Sequence, residues 1–187
     1  MQIKWQHIED LIFSSVLPCI QDFAEQHPDE VFYGFFLDCN AEYFDVLGHF
    51  NTPAMLHKTA IRYQTEYARL YPGWSVERLE DHLRWSAGDW GYFEVFNACD
   101  SNEEYRLLCD EITDYVLDNS IEETEETAIY ARFMETCCRV AIRLERENAF
   151  QNLKLAPDFR VLCADHDESM EDAESRLQSI RKSMNDG

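Results

Sequence analysis

Apolar positions recur along the chain with two periods, and the switch between them divides it into elements. Ile3, Ile8, Leu11, Ile12, Val16, Ile20 and Phe23 fall at helical spacing, and His27-Pro28 ends the pattern. An amphipathic helix is expected over residues 3–26, bent at Pro18. The run Val31-Phe-Tyr-Gly-Phe-Phe-Leu-Asp38 is too short and too aromatic for a helix. Asp38-Cys-Asn-Ala41 supplies turn residues before a second apolar run at 42–48, so the two runs predict an antiparallel hairpin. Asn51-Thr52-Pro53 is a helix start, with an oxygen-bearing cap and a proline in the first turn, and the helix it opens runs towards Pro72-Gly73.

Residues 74–98 have a mixed pattern, read as a strand over 83–86, a turn at Ser86-Ala-Gly-Asp89 and a helix over 89–99. Arg84 and Asp89 are placed to brace that turn. Ser101-Asn-Glu-Glu104 fits a capping box opening a helix to about Asp118. A long helix follows from about Glu122 to Asn148, with carboxylates at its start and Arg139, Arg143 and Arg146 towards its end, an order that suits the helix dipole. Residues 158–164 alternate as a strand, and 169–184 form a polar helix. The expected fold is a single α+β domain, residues 1–187, in which a small, mainly antiparallel sheet is covered by several helices. With no repeat, linker or hinge, no domain boundary is drawn.

Charge changes the picture. The chain carries 37 acidic against 16 basic side chains, a formal net charge of -21, yet 45% of it is apolar. Such a composition can bury a core, and its acidity repels polyanions, so neither nucleic acid nor an anionic membrane is an expected partner. The most lopsided stretch is 101–130. It holds Glu103, Glu104, Asp110, Glu111, Asp114, Asp118, Glu122, Glu123, Glu125 and Glu126 against one basic residue, Arg106. A charge run is ordinarily a solvated face; the functional reading is a docking surface for a basic protein.

Seven cysteines, an odd number without paired spacing, together with the lack of an uninterrupted apolar leader, point to free thiols in the cytoplasm. Of the adjacent pair Cys137-Cys138, set about 100 degrees apart on a helix, at least one is expected in the core. The six histidines make no metal-ligand spacing, and the six glycines form neither a phosphate loop nor a nucleophile elbow, so no cofactor is implied. Asp165-His166-Asp167, after the last predicted strand, is the one His/carboxylate cluster with an enzymatic alternative, and its bland reading is a loop and cap. Trp85 and Trp90 are expected as plugs between sheet and helices, with an interface cluster as the other reading.

The order of the Val31–Leu37 strand, the Asn51-Thr52 helix start, Leu83-Arg-Trp85 and Asp89-Trp90 resembles the bacterial domain-of-unknown-function family numbered 4303, over roughly residues 5–150. That resemblance implies no activity and transfers no catalytic residue. In size and acidity the chain is similar to the small immunity proteins that accompany bacterial toxins, so an immunity-type inhibitor of a basic toxin is the leading expectation. An enzyme centred on Asp165–Asp167 and an intracellular scaffold are the rivals.

Overall fold

A computed structural model describes residues 1–117, 121–166 and 168–186. The chain runs α1 (Trp5–Gln26), β1 (Val31–Asn40), β2 (Asp45–Asn51), α2 (Pro53–Glu66), α3 (Val76–Leu83), β3 (Tyr92–Asn97), α4 (Ala98–Ser101), α5 (Glu103–Leu117), α6 (Glu123–Arg146), β4 (Lys154–Asp165) and α7 (Met170–Asp186). One sheet of order β3-β2-β1-β4 lies at the centre. The fold is α+β, as expected, but the sheet is mixed: β1 pairs antiparallel with β2 and parallel with β4.

β1 is central in both senses. Phe32, Phe35, Leu37 and Cys39 pack into a core shared with α1, α5 and α6, while Tyr33 and Phe36 enter a smaller one with Leu56, Ala60, Leu79 and Leu83 of α2 and α3. A strand covered on both faces reads as a continuous apolar run, which is why 31–37 lacks alternation. Its pairing with β4 breaks register between Phe32 and Gly34, where β4 advances from Leu155 to Arg160. Pro157 lies in that stretch. Having no amide hydrogen, it cannot donate to the ladder and suits an irregular part of an edge strand.

Close approach explains two glycines. A Cβ on Gly34 would stand 2.6 Å from the Trp90 ring, and one on Gly48 would stand 1.8 Å from the Phe96 ring. Both aromatics therefore lie directly against backbone that carries no side chain. The Thr52 hydroxyl accepts from the Met55 amide at 3.2 Å to cap α2, with Pro53 in the first turn, as the sequence predicts.

Several local expectations are corrected. Residues 83–86 form no strand. Leu79 and Leu83, four apart, are buried on one face of α3, which Ser75 caps by accepting from the Arg78 amide. Residues 92–97 are edge strand β3 rather than helix, in keeping with the preference of Tyr, Phe and Val for pleated surfaces. Arg84 pairs with Asp158, and Asp89 pairs instead with Arg62 and accepts from the Tyr63 hydroxyl at 2.7 Å. Ser101 does not cap α5. Its hydroxyl closes α4 on the Asn97 carbonyl, and Asn102 accepts from the Tyr105 amide in its place. Asp38-Cys39-Asn40 belongs to β1, and the hairpin turns at 41–44, where Phe44 takes φ 56.

All seven cysteines are free thiols; Cys39, Cys109, Cys137, Cys138 and Cys163 are buried, and Cys19 and Cys99 are half-buried. Both members of the Cys137-Cys138 pair are enclosed, because α6 is covered on more than one side. Burial pushes the Cys137 thiol up to about 11 and raises Cys39 well above its ordinary value. Thiolates are the reactive species, so these groups are inert while folded. Titration with a chromogenic disulfide under oxygen protection is expected to find Cys19 first, since Cys109 and burial raise the half-buried Cys99 as well, and all seven thiols after denaturation. A final count below seven would refute the free-thiol reading.

Candidate functional site

Two surface regions carry the residues singled out by the sequence. The first is the outer face of α5 continuing to the start of α6. Glu103, Glu104, Asp110, Glu111 and Asp114 are exposed along α5, as are Glu122, Glu123 and Glu125 beyond it; Glu126 is half-buried, and Asp118 lies outside the described residues. On α5 the inward positions Tyr105, Cys109, Ile112 and Val116 repeat at spacings of three and four, which turns the carboxylates outward. Arg106 touches two of them, at 3.8 Å from Glu103 and 3.2 Å from Asp110. His7 of α1 meets Glu104 at 3.0 Å. The Tyr115 hydroxyl donates to Glu125 at 2.6 Å and the Tyr130 hydroxyl to Glu126 at 2.9 Å, so these two carboxylates are more fixed than those on α5.

Leucines stand among the carboxylates. Leu107 is 54% exposed and Leu117 70% exposed. At 100° per residue, Leu107, Asp110, Glu111, Asp114 and Leu117 share one side of the helix. The face is therefore acidic and apolar at once, which a search for charge alone does not reveal.

The second region lies at the carboxyl ends of β1 and β4, the parallel pair. Here the structure brings the His166 ring to Asp38. Asp165 braces the backbone, its Oδ1 accepting from the amides of His166 at 2.9 Å and Ala41 at 3.3 Å. Asp167 lies outside the described residues. The His166 amide donates to the Cys39 carbonyl at 2.8 Å, and its ring Nδ1 stands 3.5 Å from Asp38 Oδ1.

The other Asp38 oxygen faces His49, which is completely buried. The Glu94 amide donates to His49 Nδ1 at 2.7 Å, so that nitrogen carries the lone pair and a neutral ring holds its proton on Nε2, 3.3 Å from Asp38 Oδ2. Glu94 itself takes a left-handed φ of 51, a conformation that costs energy for a side chain of this size. Phe93 beside it stacks on His49 with ring centroids 4.3 Å apart. Asp38 and His49 were not candidates from sequence. Their signal was a carboxylate closing an apolar strand and a histidine on the partner strand of the same hairpin.

Asp38 and His166, with Asp165 and Glu168, form the polar side of a cleft of about 380 Å³ walled by Phe36, Trp85, Phe93 and Met170. Among the described residues no group of three or more His, Cys, Asp or Glu side chains could hold a metal ion. No helix there is long and apolar enough to cross a membrane. Comparison with curated proteins and with solved structures yields no match. A family model described as a domain of unknown function, DUF4303, matches residues 18–182, extending well past the region whose motifs carried the resemblance. The chain belongs to the DUF4303 family.

Proposed function

We propose that the chain is a cytoplasmic protein-binding domain whose α5–α6 surface captures a basic protein, in the manner of an immunity-type inhibitor masking a bacterial toxin. The observation that carries this reading is the exposure of Leu107 and Leu117 among the carboxylates of α5. A solvated face needs charge alone, whereas a docking surface needs apolar anchors inside a polar rim. The net charge of -21 adds long-range attraction for a cationic partner and repulsion of polyanions.

The direct test mixes the purified chain with the purified product of the adjacent gene and measures heat and mass. A 1:1 complex that weakens steeply with salt is the expected result. The absence of a complex at low salt, or a complex with no salt dependence, would refute this assignment.

A further inference from the structure

The geometry points to the cleft beside β1 and β4 as a binding site for a small aryl ammonium ligand, its cation held by Asp38 and its ring laid against Phe93. This site is separate from the α5–α6 surface and does not depend on the reading of that surface.

Asp38 places a carboxylate on the wall of this cleft. Its side chain is only 12% exposed, and both of its ion-pair partners among the described residues are histidines, His49 and His166. The hydrogen bond from Glu94 leaves His49 a single proton while its ring is neutral, and that proton faces Asp38. A carboxylate withdrawn from water without a permanent cation is costly, and a ligand ammonium supplies the missing charge together with several N–H donors.

Neighbouring groups narrow the choice of contacts. Glu168, also on the cleft wall, is already held by the Arg176 guanidinium, so its charge is compensated. Trp85 already has cations at its ring, with Arg160 at 5.0 Å and Arg84 at 5.5 Å from the centroid. Asp165, likewise on the wall, already accepts from the His166 and Ala41 amides, which leaves Phe93 and Asp38 as the pair for a ligand. Phe93 keeps half of its surface exposed while stacked on His49. An aromatic face beside a buried carboxylate favours a ligand that carries both a ring and a positive charge. The cleft volume falls within the range of small-molecule sites.

The probe is benzylammonium, with benzyl alcohol as its neutral counterpart of the same shape, titrated into the full chain while the His49, His166 and Phe93 ring resonances are followed by NMR. Saturable shifts at these three rings are expected with benzylammonium, with at least about tenfold weaker binding of the alcohol. Asp38→Asn should remove that preference, and Phe93→Ala should weaken benzylammonium about tenfold while circular dichroism stays unchanged. Phe93 is half-exposed, so its variant remains informative should Asp38→Asn fail to fold. Equal affinity for the two probes, shifts confined to other parts of the chain, or undiminished binding by the folded Phe93→Ala protein would each overturn the assignment, as would no saturable shift with either probe.

Discussion

Truncating Trp90 to alanine is expected to destabilise the fold by about 3–5 kcal/mol, the range for large aromatics removed from a core. Trp90 is 4% exposed, and it packs edge-on to Tyr33 at 5.7 Å and Phe36 at 6.0 Å between ring centroids. Its indole N–H donates to the Arg84 carbonyl at 3.1 Å, an acceptor shared with the Tyr33 hydroxyl at 2.9 Å. The ring also fills the space that Gly34 leaves above β1. Truncation therefore opens a cavity and removes a hydrogen bond together. Trp85 is only half-buried, so Trp85→Ala should cost less, about 1–2 kcal/mol. Urea denaturation of both variants measures the difference. Equal losses, or a Trp90 loss under about 1 kcal/mol, would contradict the packing described.

Reversing Asp110, Glu111 and Asp114 to lysine is expected to slow association with the basic partner about 10–100-fold at low salt and to flatten its salt dependence, with the fold intact. These three positions are preferable to the carboxylates at the start of α6. Glu123, Glu125 and Glu126 occupy its first turn, where negative charge stabilises the helix dipole, so reversing them would mix a folding effect with a binding effect. Asp110, Glu111 and Asp114 lie further along α5 and are exposed. Exposed charges contribute little to stability. Leu107→Ala with Leu117→Ala should act on the other rate, raising dissociation about tenfold while association changes little, because apolar anchors hold a complex that charge steers together. Stopped-flow kinetics at two salt concentrations separates the two effects. Unchanged association in the folded triple-lysine variant would mean that the face is only solvated.

The elements that could be read along the chain are those whose signals are local. Thr52 and Pro53 start α2 because a hydroxyl cap and a fixed φ act within one turn. α1 and α6 follow from apolar spacing sustained over five turns or more, and β1 from an aromatic run too dense for a surface helix. The segment between Trp74 and Ser101 misled because its elements are short and depend on their surroundings. α3 is an 8-residue helix held by the burial of Leu79 and Leu83, and β3 is an edge strand whose conformation comes from pairing with β2. Ser101 had the residue type of a cap, but Asn97 and Asn102 took the two capping positions on either side of it.

The sites divide in the same way. Composition alone determined that 101–130 would be acidic, and helical spacing turned most of those carboxylates outward. Whether leucines would remain exposed among them depended on what packed against α5. The cleft was decided by tertiary structure: Asp38 and His166 are 128 positions apart, and they meet only because β4 returns parallel to β1 after the rest of the sheet and α6 have been laid down. A hairpin's direction is set by its short turn, whereas a parallel partner must arrive by a long crossover whose course is chosen by burial. Sequence by itself therefore determined the longer helices, the hairpin, the acidity and the reduced thiols expected of unpaired cysteines. Tertiary packing decided the mixed sheet, the enclosure of both Cys137 and Cys138, and the meeting of Asp38 with two histidines, because each depends on which distant surface is available to bury a strand or helix face.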